Sequence, residues 1–428
     1  MELRNYPALG EQVIWQALPN GLPIAIVPRP GFTKKLCYFV TDFGAIHTDF
    51  TLDGKPYSVP AGIAHYLEHK LFDLPGRDVT AEFAALGAIP NAFTGYDVTA
   101  YYFSCTENFD RCLELLLEFV STPYFTEESV EKERGIISQE IMMCDDASDN
   151  QVFENLTRGL YREHPVRIPI LGTQESIRQI TADHLYLCHR AFYAPSNMML
   201  CVVGDVDPAE VVSTGERMLP TQAQERAVKL TPREQRLENV RDSITREMDI
   251  AMPTFQLGLK CLPNPQGEAG IRREIMADFA AEALFGESSP LYLRLYDEGY
   301  IDSSFGGGYE TLDGAAMLLC GGDSDDPEAT ARAVLDRLQE LAREGICDDD
   351  FRRMKKSALG RRIRDLGSFD STCFRLCACH FTGFDYLEFP RLYESVTRQD
   401  VEAFLREIAA TAGSCLSIIN PRQQEDCL

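Results

Sequence analysis

Two stretches of about 200 residues repeat one succession of strand and helix patterns, and this constrains the fold more than any other feature of the 428-residue chain. The first opens with apolar runs at 12–18 and 22–28 flanking Asn20-Gly21, a strong short turn signal. The predicted order continues with a strand at 36–46, helices at 61–73 and 78–87, and a β-branched, aromatic strand at 91–104. Helices at 107–121, 126–145, 150–162 and 176–192 follow, and a strand at 198–206 closes the half. After a polar run at 221–245 the order restarts. A strand at 253–261 leads into helices at 268–285 and 289–299, then strands within 304–320. Helices at 327–343, 348–366 and 398–410 and a strand at 414–419 complete it. The expected fold is α+β: two tandem, similar α/β-sandwich domains, each a sheet with helices on one face. The expected boundaries are 1–220, a linker at 221–245, and 246–428.

Composition narrows the function class. With 41 basic and 66 acidic residues the net charge is −25, which disfavours nucleic acid and anionic membrane surfaces as partners. A 45% hydrophobic fraction suffices for a sizeable core. No apolar run is long enough to span a bilayer. The N-terminal MELRNYPALGEQ has no basic-then-apolar pattern of an export signal. Fourteen scattered cysteines then fit buried thiols in a reducing cytoplasm.

One segment carries chemistry. In AGIAHYLEHKLFD, residues 61–73, His65 and His69 are four apart and share one face of the predicted helix. Ile63, Leu67 and Leu71 form an apolar stripe on another side. Two imidazoles at this spacing suit Zn²⁺, and Glu68 stands beside them, placed to take a proton from a water. His-x-x-Glu-His is the inverted form of a common metallopeptidase motif. A catalytic zinc wants a third protein ligand. Glu133 and Glu140 are two turns apart on the predicted helix at 126–145, with Ile136, Ile137 and Ile141 as its apolar side. Alone, both would read as solvated glutamates. Beside the histidine motif, Glu140 is the expected third ligand and Glu133 the residue that orients a histidine or holds the site's charge balance.

These residues resemble the pitrilysin family of zinc peptidases, which includes insulin-degrading enzyme and the mitochondrial processing peptidase. The resemblance covers His65-Tyr66-Leu67-Glu68-His69, Glu133 and Glu140. It extends to the stretch from Gly87 through Asn91-Ala92-Phe93-Thr94, and to Tyr193-Ala194-Pro195-Ser196-Asn197-Met198 with Gly204-Asp205-Val206. It implies a clamshell-type half in which His65, His69 and Glu140 bind zinc, Glu68 is the general base and Glu133 supports the site. It also implies that Asn91 and Ala92 meet a peptide substrate laid along an open strand edge. The phrases GIAHYLEHKLFD and His164-Pro165-Val166-Arg167-Ile168 look closest to a short bacterial branch, labelled as associated with elongation factor P modification and usually accompanied by a sister subunit.

The second half departs from the family pattern. Relatives carry an Arg and, six residues on, a Tyr that bind substrate; here Tyr296 and Asp302 stand at those positions. Arg294 and Tyr300 keep the spacing, but a two-residue shift turns a helical side chain by about 200°. The resemblance therefore implies a homo- or heterodimer whose sister subunit supplies the Arg and Tyr. The expected function is a zinc metalloendopeptidase acting on peptides or unfolded segments. The alternative is a non-proteolytic or assembly subunit in a protein-modification pathway.

Other signals read as structural. Cys373, Cys377, Cys379 and His380 lack the spacing of a zinc ribbon or iron–sulfur site. Gly306-Gly307-Gly308 has no phosphate-loop Lys. His164, His184 and His189 have no partner spacing, and Asp323–Glu328 reads as a solvated helix start.

Overall fold

The computed structural model describes residues 1–222 and 226–422; residues 223–225, inside the expected linker, lie outside the described residues. Two compact units form, and each is discontinuous in sequence. One holds Met1–Ile141, Pro169–Thr231 and Arg361–Phe389; the other holds Met142–Ile168, Pro232–Gly360 and Pro390 onward. The units are thus not the linear segments 1–220 and 246–428: residues 142–168 pack with the second and 361–389 with the first.

The first unit is built on a seven-stranded sheet. Its strands run, in spatial order, Glu2–Tyr6, Glu11–Ala17, Pro23–Pro28, Met198–Gly204, Lys35–Thr41, Thr99–Cys105 and Ile89–Thr94. Pro23–Pro28 and Met198–Gly204 are parallel; the other neighbours are antiparallel. The turn at Asn20-Gly21 stands where expected: Gly21 takes φ 90° and Asn20 Oδ1 accepts the Leu22 N–H. The predicted strand at 91–104 is instead a hairpin, broken where the Gly95 N–H donates to the Val98 carbonyl at 2.8 Å. This break leaves Ile89–Thr94 as a sheet edge.

Strand Met198–Gly204 is buried along its whole length, because both its faces are covered. Leu200 and Val202 join Phe39, Tyr101 and Phe103 in the core under the main helices. Cys201 faces the other way, where the Cys373 thiol of helix Phe369–Phe381 donates to its carbonyl. Trp15 stacks on His380 at 6.1 Å from the same helix. Helices therefore cover both sheet faces, one of them coming from the far end of the chain.

The second unit repeats this device. Its five strands run Ser243–Met248, Ser414–Pro421, Thr254–Cys261, Ala315–Asp323 and Gly306–Leu312. Helix Ser148–Leu160 lies against Gly258, where a Cβ would come within 2.8 Å of Leu160 and 2.9 Å of Leu156. Two positions on, the buried Lys260 ammonium donates to the Leu160 carbonyl at 2.9 Å and to the Glu234 carboxylate. Glu234 also accepts the backbone N–H groups of Arg162, Glu163 and His164. Parts of the expected linker are therefore ordered: Val228–Lys229 pairs with Phe50 and Thr51, Glu234 is buried, and Ser243–Met248 is a strand.

Among the described residues no cysteine forms a disulfide bond. Among the described residues no helix is long and apolar enough to cross a membrane.

Candidate metal centre

The site lies wholly in the first unit and begins at a glycine. Gly62 caps helix Ile63–Leu71 at φ 88°, and a Cβ there would stand 2.4 Å from the Leu171 carbonyl oxygen. Ile63, Leu67 and Leu71 anchor the helix in the core, as their spacing predicts. The buried Tyr66 hydroxyl donates to the Val130 carbonyl, tying this helix to helix Glu127–Asp145. Val130, Ile137 and Ile141 seat that second helix. Ile136 is exposed, so the apolar side is narrower than the sequence suggests. Ser138 and Gln174 exchange hydrogen bonds of 2.7 and 2.9 Å and fix the rotation of the turn that carries Glu140.

These constraints bring His65, His69 and Glu140 together. His65 Nε2 is 3.6 Å from Glu140 Oε1, and His69 Nε2 is 3.6 Å from Glu140 Oε2. All three ligand atoms lie within 4.8 Å of one another, and no other His, Cys or carboxylate group among the described residues does so. Separations of 3.6 Å are too long for hydrogen bonds. They match the spacing of about 3.4 Å between ligands of a tetrahedral zinc with bonds of about 2.1 Å. The donor set therefore fits a divalent ion.

The two histidines differ in protonation. Burial, helped by the neighbouring His69, holds His65 down to about 3, so its ring is neutral. His65 Nδ1 is buried without a hydrogen-bond partner among the described residues. His69 Nδ1 lies 2.9 Å from Glu133 Oε1. Burial alone would lower His69, but Glu133, Glu68 and Glu140 outweigh it and raise it. A metal ion arriving here would displace that proton from Nε2 while Glu133 keeps the Nδ1–H.

Glu68 stands beside the three. Burial raises its carboxyl, against the hydrogen bond from Thr94 and the charge of His69. Asn91 and Ala92 occupy the edge strand, paired on their inner side with Tyr102 and Tyr101. Asn91 Oδ1 accepts the Ala92 N–H at 2.9 Å. The sequence pattern assigns no role to Thr94, at the end of that strand, or to Tyr101 and Tyr193, whose buried hydroxyls meet at 2.8 Å. Only the position of Thr94 directly after Asn91-Ala92-Phe93 could have singled it out.

The signals read as structural behave so. Cys373 and Cys377 are buried on helix Phe369–Phe381, and Asp326 caps helix Pro327–Glu344 by accepting the Ala329 N–H. His164 is buried with both ring nitrogens engaged, by the Val166 N–H and the Asp313 carbonyl. In the second unit, Tyr296 is exposed and stacks on Tyr292 at 6.0 Å.

Fold and site together define the class of α+β proteins that set an inverted His-x-x-Glu-His helix against a glutamate of a second helix. Comparison with known proteins narrows this. Residues 58–174 match the model of insulinase, peptidase family M16, and residues 179–358 match that of the peptidase M16 inactive domain. A Bacillus subtilis protein with the name uncharacterized zinc protease YmfH is 36% identical over 411 residues, covering 94% of this chain and 95% of its own. A putative M16-like peptidase from Alicyclobacillus acidocaldarius superposes with a TM-score of 0.92 at 32% identity, over 96% of this chain and 99% of its own. A protease from Helicobacter pylori shares the fold at a TM-score of 0.80 and 20% identity, over 96% of this chain and 100% of its own. The chain belongs to the insulinase family, peptidase family M16.

Proposed function

We propose that this chain is a zinc metalloendopeptidase that hydrolyses peptide bonds of peptides or unfolded segments in the cytoplasm. The observation that carries the reading is the triangle of His65, His69 and Glu140 with the Glu68 carboxylate beside it. The names of its relatives, zinc protease among them, support the choice of metal. In this reading His65, His69 and Glu140 hold zinc, and Glu133 orients His69. Zinc bound there supplies Lewis acidity, which polarises a carbonyl and acidifies a water. Asn91 and Ala92 hold an extended peptide against the strand edge. Glu68 accepts the proton as water adds to the carbonyl carbon, and returns it to the amine nitrogen as the C–N bond breaks.

Glu68→Gln is expected to keep zinc and abolish cleavage, and His69→Ala to lose zinc. Cleavage by Glu68→Gln at the wild-type rate would overturn the mechanism. Tyr296 and Asp302, at positions where relatives offer Arg and Tyr, favour a two-subunit active site, with a second copy or a sister chain supplying those donors. They also favour the alternative of an assembly or protein-modification subunit, such as one linked to elongation factor P. Zinc content and peptide cleavage, with and without a co-purified sister chain, separate the two readings.

A further inference from the structure

Glu68 Oε2 accepts the Thr94 hydroxyl at 2.5 Å, within the range of charge-assisted O–H···O⁻ bonds. Oε1 takes no hydrogen bond from any described residue. We propose that Thr94 is the positioning residue for Glu68: it pins one carboxylate oxygen and leaves the other turned to receive a proton. This rests on the peptidase reading given above.

Three observations carry it. First, the donor stands on a rigid support. Thr94 pairs with Thr99, and the Gly95–Val98 bond closes the hairpin directly after it. A β-branched side chain has few rotamers, so the hydroxyl's aim follows from the backbone. Second, the acceptor needs a partner. Glu68 stands on a different element, helix Ile63–Leu71, and Thr94 alone among the described residues donates to it. Its ordered rotamer therefore depends on a contact between helix and strand. Third, Thr94 shares its strand with Asn91 and Ala92. The strand that would hold the peptide also sets the aim of the base, so a shift of one reaches the other. Carboxylate aim of this kind contributes through geometry, since a base must lie within hydrogen-bond reach of its proton.

The test compares Thr94→Val, which keeps shape and removes the hydroxyl, with Thr94→Ser, which keeps the hydroxyl. A quenched fluorescent peptide library serves as substrate, with the sister chain added if the wild type requires it. Thr94→Val is expected to lower kcat by about 10- to 100-fold, with KM and zinc content unchanged. Thr94→Ser is expected to stay within about threefold of wild type. Crystal structures of both metal-free variants give a readout independent of turnover: Glu68 keeps its place in Thr94→Ser and swings away in Thr94→Val. Wild-type kcat in Thr94→Val, equal damage in both variants, zinc loss in Thr94→Val, or an unmoved Glu68 would each overturn the assignment. If wild type and Glu68→Gln are equally inactive, the peptidase reading fails. The Glu68 position in the two crystal structures then still decides whether Thr94 holds it.

Discussion

The Nδ1 of His69 and the Oε1 of Glu133 lie 2.9 Å apart, so the imidazole is gripped from behind while its Nε2 faces Glu140. Such a grip fixes ring orientation and tautomer before any ion arrives. Glu133→Ala is therefore expected to weaken zinc binding by about 10- to 100-fold, and Glu133→Gln, which keeps an acceptor oxygen, by less. Competition against a chromophoric chelator measures both. Equal affinity in Glu133→Ala and wild type would remove Glu133 from the site.

Glu140 should behave differently from its helix neighbours. Glu140→Ala removes one corner of the triangle and is expected to lower zinc occupancy to the level of His69→Ala. Glu128→Ala, in the exposed first turn of the same helix, should leave occupancy unchanged. Metal analysis after dialysis against a weak chelator distinguishes them.

Gly62→Ala tests the seating of the histidine helix. The new Cβ would meet the Leu171 carbonyl at 2.4 Å, and φ 88° strains any residue but glycine. A stability loss on the order of 2 kcal/mol is expected, read as a lower melting temperature. Weaker zinc binding should accompany it, because the helix start cannot relax without moving His65. A variant as stable as wild type would show that this approach tolerates a methyl group.

Glu234 should make the second unit acid-sensitive. Burial would raise its carboxyl, but the Lys260 ammonium and the N–H groups of Glu163, Arg162 and His164 overcome this and bring it to about 2. A depressed carboxyl stabilises the fold above its unfolded value of 4.5, and the contribution is lost as pH falls from there towards 2. The shift corresponds to on the order of 3 kcal/mol. Glu234→Gln should be clearly less stable than wild type at pH 7. The gap in urea midpoint should close as pH falls below about 4.5. A gap independent of pH would mean that the charge of Glu234 contributes nothing.

The histidine helix was legible because its chemistry is local: i, i+4 histidines and an i, i+4, i+8 apolar stripe specify one helix with two faces. Glu140 was legible only beside that motif, since a glutamate on a Glu-rich helix carries no signal of its own. Thr94 carried none, because its role depends on a helix 26 residues earlier in the chain. Local pattern also misjudged continuity. Residues 91–104 alternate like one strand, yet the turn at Gly95 folds them back. Residues 176–192 read as one helix, yet Thr181 caps a new one by accepting the His184 N–H. Helix periodicity at 150–162 marked a helix, which spans Ser148–Leu160 with an apolar face on one side. It held no information about which sheet that face would cover.

The crossed assignment of helices Ser148–Leu160 and Phe369–Phe381 has a consequence for synthesis. As the chain leaves the ribosome, the strands of the first sheet are complete once Gly204 has emerged. One face of that sheet still lacks its cover until residues near 381 arrive. Meanwhile Ser148–Leu160 is out early, with an apolar face and no strand yet made to receive it. The N-terminal half therefore cannot finish folding ahead of the rest, as ordinary tandem domains do. From the emergence of Gly204 until that of Thr254–Cys261, both elements expose surface that a chaperone would recognise.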